Sequence, residues 1–436
     1  MRIRRFAGAA ALATVTASVT LLASPSPAQA LDSVVLPVAS HWQTLADSRH
    51  VYASAPGQDA VVATDHDGHV IKTVEGLDGA RGMTLTADES HLYVALPEAD
   101  AVAEIDTTTL TETRRFPTGT DTEPENLALA GGRLWFSYQA TVFDGGIGSI
   151  TVAETEPSVE LDDSPAWYGK PRLASAPAAP DRLVAAESAG GAGMRVYDVA
   201  SGTANEIAYT DAVGDVEDLA VTPDGRSAIT ANGGTYYHQR WALPDLAEEA
   251  PYDTGAYPNA VSIAPNGTVA AGVVATGGWD IFIYRPGETT PFRTVSLKYG
   301  YMELVDRGVA WAPDGSRLFA TRFTYSGEVI LDIITDVHKA NSDIALTAPE
   351  TVPHGQPVTV QGKLTSLVPF PKSKVVTVTR YNEPIATVKV RRDGRFAFID
   401  LPPDYMSYPE YSVTYAGDDT HASGKATVSV EVIRSS

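Results

Sequence analysis

The sequence predicts an all-β protein, a seven-bladed β-propeller followed by a small β-sandwich, and three observations carry that reading. Short β-rich segments broken by a tight turn recur at the length of a propeller blade. Apolar residues alternate with polar ones over four to eight positions, with no competing helical period of useful length. The charge balance and the proline content change near residue 341.

Residues 1–30 read as an export signal: Arg2, Arg4 and Arg5 precede an uncharged Ala-rich run that closes on Ala28-Gln29-Ala30. The apolar part from Phe6 to Leu22 is too short and too rich in Ala, Ser and Thr to favour a membrane anchor. Arg4-Arg5 matches a twin-arginine signal only loosely, so the general secretory route is expected. The expected product is secreted, extracellular or loosely associated with the cell envelope. With no cysteine in 436 residues, disulfides, thiol nucleophiles and thiolate metal sites are excluded, and stability has to come from packing.

Beyond residue 30 the chain carries 29 basic and 54 acidic side chains, a net charge of −25. Residues 343–436 hold ten of each, so the whole excess falls on residues 31–342. Such a field repels nucleic acid and anionic membranes and favours solubility and cationic partners.

The repeat comprises seven units: Gln43–Ala53, Met83–Ala95, Leu127–Ser137, Leu173–Ala186, Leu219–Ala231, Val261–Val273 and Val309–Thr321. Their starts lie 40, 44, 46, 46, 42 and 48 residues apart, the length of one four-stranded blade. Pro-Asp-Gly at 223–225 and 313–315 and Pro-Asn-Gly at 265–267 are hairpin turns, since Gly and Asn tolerate the positive φ of a tight reversal. The seventh unit stops after a third strand, Val329–Thr335. Residues 31–39, with Ser33–Ala39 β-rich and without a blade of their own, are expected to supply its outer strand and close the ring.

Thr254–Gly267, reading TGAYPNAVSIAPNG, resembles the YVTN-type (WD40-like) propeller repeat, in which Gly and Pro precede an alternating strand and a Pro-Asp/Asn-Gly turn. The resemblance covers residues 33–339, with the turn itself in the fifth to seventh units. Proteins with this repeat include binding proteins, lyases and lactonases, so the resemblance implies a scaffold and leaves function open.

In the C-terminal part, Val358–Leu364, Val375–Tyr381, Arg395–Leu401 and Tyr411–Tyr415 alternate as strands, dense enough for a sandwich over 341–436. VTYAGDDTHASGKATVSVEV from Val413 resembles the last two strands of bacterial immunoglobulin-like repeats. That resemblance implies an immunoglobulin-like β-sandwich acting as a spacer or adhesion unit. The chain ends at Ser436 without a sorting motif or apolar tail, so anchoring is not expected.

In a propeller the loops entering each inner strand and those joining the second and third strands share one face. Here those loops collect the rings Tyr138, Phe143, Trp167, Tyr168, Tyr236, Tyr237, Tyr257, Trp279, Tyr301, Phe323 and Tyr325, whereas the turns of the opposite face are short and plain. Exposed rings are platforms for sugars, apolar groups or cations, so this face is the expected ligand-binding surface. His41, Arg81, Glu125, Arg172, Glu217, Asn259 and Arg307 precede the inner strands and form a mixed-charge ring at the channel mouth. Were the protein an enzyme, Glu125 or Glu217 beside an arginine would be the acid or base and His41 the proton shuttle. Asp65-His66-Asp67-Gly68-His69 holds metal-type donors but falls between a third and a fourth strand and lacks the downstream Glu of a calcium loop, so it reads as a hairpin turn. No nucleophile elbow, zinc helix or phosphate loop occurs, and no metal or cofactor is expected.

The resulting expectation is a monomeric, non-catalytic extracellular protein that recognises a peptide, protein or glycan. The alternatives are a propeller lyase or lactone hydrolase acting at the channel mouth, and a structural component of the cell envelope.

Overall fold

The computed structural model describes residues 32–433 apart from 142, 189, 256, 275–277 and 298–302. Residues 1–30, expected to be an export signal, and Tyr301 therefore lie outside the described residues. Two compact units are formed, dividing between Asn341 and Ser342.

Among the described residues, the first unit contains seven four-stranded antiparallel sheets. Blade 1 consists of Thr44–Ala46, His50–Ala55, Ala60–Asp65 and Val70–Glu75 from the inside outward. Five more blades repeat this order with inner strands Met83–Leu85, Leu127–Ala130, Arg172–Ala176, Asp218–Val221 and Pro258–Ile263. The inner strand of blade 7, Glu303–Trp311, neighbours those of both blade 6 and blade 1, which makes the arrangement a ring.

The second strands explain why the blades stack. His50–Ala55 and His91–Leu96 are buried at every position but the first, so both faces of each sheet are covered. A strand buried on both sides reads as a continuous apolar run rather than an alternating one. The cores accordingly lie between neighbouring blades: Tyr52, Val61 and Leu77 of blade 1 pack with Leu92, Val94 and Ile105 of blade 2.

The outer strand of blade 7 comes from the other end of this unit. Asp32–Val35 pairs antiparallel with Val329–Ile334, Asp32 opposite Ile333, and the Leu36 amide continues the ladder to the Val329 carbonyl at 2.9 Å. Ser33 Oγ donates to Asp332 Oδ1 at 2.5 Å, and the same buried carboxylate receives Arg322 through Nε at 2.5 Å and Nη2 at 3.2 Å. At Gly68, φ +86°, an added Cβ would lie 2.6 Å from Val34, so the closing strand packs directly on the turn of blade 1. That turn is the Asp65–His69 segment: Asp65 Oδ1 accepts the amides of Asp67 and His69, and Oδ2 meets His69 Nδ1 at 3.0 Å.

The second unit is two packed sheets. Asp343–Thr347, Val358–Thr365 and Arg395–Asp400 form one, and Glu383–Lys389, Val375–Arg380, Glu410–Tyr415 and Gly424–Ser429 the other. Alternating residues from both, among them Val358, Val360, Phe396, Phe398, Val376, Val378, Tyr411 and Val413, meet in one core. A short parallel pair, Thr351–Pro353 with Glu431–Ile433, completes it.

Leu36 is 2% exposed within the core shared by blades 7 and 1. Leu36→Ala is expected to lower unfolding stability by about 2–4 kcal/mol. An unchanged denaturant midpoint would show that the closing segment does not hold the ring.

Candidate functional site

On the loop-rich face the structure separates the candidate rings into three groups. Phe143, Tyr168, Tyr236, Tyr257 and Tyr325 are exposed, Phe143 at 58% and Tyr325 at 90%. Tyr237 and Trp279 are half-buried. The ligand-binding assignment of Tyr138 and Trp167 is corrected, because they are 7% and 2% exposed and belong to cores between blades. The strands Arg133–Thr141 and Val159–Trp167 run further than the sequence suggested and carry both residues out of the loops. Phe323 ends the strand Leu318–Phe323 and packs half-buried on the core of blades 7 and 1, so it too is a packing residue first.

Four of the exposed rings are paired. Phe143, from the loop between the middle strands of blade 3, lies 4.3 Å from Tyr168, which leads into blade 4. Tyr236 of blade 5 lies 6.2 Å from Tyr257, which leads into blade 6. Phe143 and Tyr257 hold φ at 69° and 61°, a region that bulky side chains rarely occupy and that costs of order 1–3 kcal/mol. At Gly190 a Cβ would lie 2.9 Å from the Tyr168 ring. The loops thus present large apolar rings to solvent, two of them on backbone that carries a conformational cost.

The channel mouth is organised by a residue that the sequence reading passed over. Trp42 receives Arg307 at 4.1 Å, Arg81 at 4.5 Å and Arg172 at 5.8 Å from its ring centroid. Those side chains come from blades 7, 2 and 4, and groups from such different directions meet only near the axis. Glu125 pairs with Arg81, lies 3.6 Å from Arg172 and 4.0 Å from Lys170, and is itself buried. Lys170 also reaches Glu123 at 2.9 Å. Arg172 donates to Asn126 at 3.0 Å and to the Val216 carbonyl at 3.2 Å. Asn259, buried, donates to the Leu304 carbonyl at 2.8 Å and joins blade 6 to blade 7. The predicted ring of mixed charge is a hydrogen-bonded hub around one indole.

Its titration matters for catalysis. Burial and the neighbouring Arg307 charge hold the half-buried His41 imidazole down at about 3, and its Nε2 is engaged with Thr44 Oγ1 at 2.8 Å. A shuttle must change charge, so an imidazole held low and engaged with Thr44 is poorly suited to that role. Burial and Asp306 raise Glu217, with Arg172 and Arg307 opposing. Among the described residues, no hydrogen bond or ion pair joins His41, Glu125 and Glu217 to one another. The sequence did hold one clue to Trp42: it stands beside His41 in the segment entering the first inner strand.

Comparison with known proteins adds the fold and little else. No family model matches the chain, and no curated protein does. Among solved structures, hydrazine synthase of Kuenenia stuttgartiensis aligns with a TM-score of 0.55 at 18% identity, over 70% of this chain and 98% of that one. Hsv2 of Kluyveromyces lactis aligns at 0.45 and 10%, over 68% and 97%, and a luciferin-regenerating enzyme at 0.42 and 10%, over 70% and 95%. The likeness to hydrazine synthase, at 18% identity, speaks for the fold alone.

Asp218 accepts the amides of Leu219 and Val261, at 2.9 and 2.8 Å, and so ties blade 5 to blade 6. Burial nevertheless pushes its carboxyl up to about 6, the backbone hydrogen bonds and Arg307 opposing. A carboxyl raised above its unfolded value makes the folded state bind the proton more tightly, so its contribution to stability grows as pH falls through about 6. Relative to Asp218→Asn, the native chain should gain ~1 kcal/mol between pH 7.5 and pH 5. A pH-independent difference in unfolding free energy would contradict this.

Proposed function

We propose that the chain is a secreted, non-catalytic binding protein that takes an extracellular peptide, protein or glycan on the loop-rich face of its propeller. The observation that carries the reading is the set of exposed ring pairs, Phe143 with Tyr168 and Tyr236 with Tyr257, two of whose members sit on strained backbone. Strain of this kind persists where something other than folding stability benefits. Rings with one apolar face and little conformational entropy to lose are efficient binding platforms.

The catalytic alternative is weakened by the hub itself. His41 is held neutral, and Glu125 is occupied by Arg81, Arg172 and Lys170. The resemblance to YVTN-type repeats supports a propeller over 31–340, and the C-terminal unit, 341–436, is proposed as an immunoglobulin-like spacer. An export signal at 1–30 and the acidic surface fit a monomer acting outside the cell on neutral or cationic partners, with no role for nucleic acid or membrane insertion.

Glycan and peptide arrays probed with the chain from residue 31 identify the ligand class. For a ligand so found, Phe143→Ala with Tyr168→Ala, or Tyr236→Ala with Tyr257→Ala, should weaken binding at least about tenfold while leaving the unfolding midpoint of the ring unchanged. Full affinity in a folded variant lacking all four rings would remove the loop-rich face from consideration.

A further inference from the structure

Below the hub the channel is not filled. A cavity of about 370 Å³ runs from the plain turns of the opposite face, at Ala87, Pro265 and Pro313, inward to Arg307 and Asp218. Leu45, Leu85, Leu219, Ile263 and Val309 from five blades give its wall an apolar strip, set among the polar groups of Gln43, Thr44, Thr86 and Ser262, with Glu89 also in the lining. The volume is that of a small-molecule site, in which an apolar wall and one fixed polar group are the usual ingredients.

Arg307 is unusual in its pairing and in its backbone. It is 8% exposed, yet it forms no ion pair with a carboxylate among the described residues. Its Nε and Nη1 donate to the carbonyls of Trp42 at 3.1 Å and Glu217 at 3.4 Å, which leaves Nη2 uncommitted. A buried guanidinium without a counter-ion is expensive to maintain. It also adopts φ 53°, within a stretch where the pairing of Glu303–Trp311 with Leu318–Phe323 shifts register. Such bulges re-aim side chains, and this one is shaped around the next residue: a Cβ on Gly308 would lie 2.7 Å from the Val305 carbonyl oxygen and 2.8 Å from that of Thr321. Burial, with Arg172 beside it, brings the guanidinium down to about 9, the more distant carboxylates of Asp218, Glu125 and Asp306 opposing.

We propose that this cavity is a second binding site, for an organic monocarboxylate whose acid group pairs with Arg307 and whose apolar body lies along Leu45, Leu85, Leu219, Ile263 and Val309. One uncommitted guanidinium edge suits a single negative charge, and Asp218 at the same end, mostly ionised above about 6, works against that charge and more strongly against a second. The site faces away from the aromatic loops and does not depend on what they bind. The carboxylate has two sources, a small organic acid or the C-terminus of a peptide threaded into the channel.

The test uses 3-phenylpropionate, hexanoate and acetyl-Leu-Phe, each as the free acid and as the primary amide, titrated into the chain from residue 31. Binding is followed by calorimetry and by tryptophan fluorescence, for which Trp311 in the cavity wall is a built-in reporter. At least one acid should bind saturably and about tenfold or more tighter than its amide. Arg307→Met should erase the difference between acid and amide. Leu85→Trp, which fills the cavity from its wall and leaves Arg307 alone, should abolish binding of both. Tighter binding of the dipeptide acid marks a peptide end as the source, and tighter binding of the small acids marks a metabolite. Equal binding of acids and amides, no binding by any probe at about 10 mM, or an acid preference that survives in folded Arg307→Met or Leu85→Trp would overturn the proposal.

Discussion

The structure depends on one requirement, that every blade bury both of its faces against a neighbour. A four-stranded sheet whose middle strands are apolar on both sides is not stable alone, and a row of such sheets leaves two uncovered ends. Seven blades remove the ends by meeting, and the meeting is secured by strand pairing between Asp32–Val35 and Val329–Ile334. Ser33, Asp332 and Arg322 give that seam a polar lock inside an apolar core shared by blades 7 and 1. A buried ion pair contributes register more than stability, and register is what a closing strand most needs.

Closing the ring creates the channel, and its two ends differ in kind. At the loop-rich end the segments entering the inner strands are long enough to fold inward, so Trp42, Arg81, Arg172, Glu125 and Lys170 fill the mouth with a compact network. At the other end the connections are minimal turns that cannot reach the axis, and the space between the inner strands stays open. Arg307 stands at the boundary, touching the indole above and the cavity below. The aromatic loops lie outside both features and remain free to meet a partner.

Much of this architecture was legible in the sequence because repeats and turn chemistry are local. The spacing of the units, the Pro-Asp/Asn-Gly turns and an orphan strand at Ser33 sufficed to place seven blades. The site was less legible, for two physical reasons. Strand ends are set by tertiary pairing, so the sequence places Tyr138, Trp167 and Phe323 in loops although their strands extend through them. Convergence at an axis joins residues more than a hundred positions apart. Trp42 and Arg307 show no relation along the chain, and neither the guanidinium that forms no ion pair among the described residues nor the cavity beneath it can be inferred before the ring is closed.

The central claim is that the loop-rich face, and not the outer strands or the C-terminal unit, meets the macromolecular partner. Hydrogen–deuterium exchange of the chain with and without a ligand recovered from the arrays tests it most directly. The account predicts slowed exchange in peptides spanning 139–146, 168–171, 232–238, 253–258 and 323–328. Protection confined to residues 342–433, or to the outer strands Val159–Trp167 and Asn205–Thr210, would contradict it.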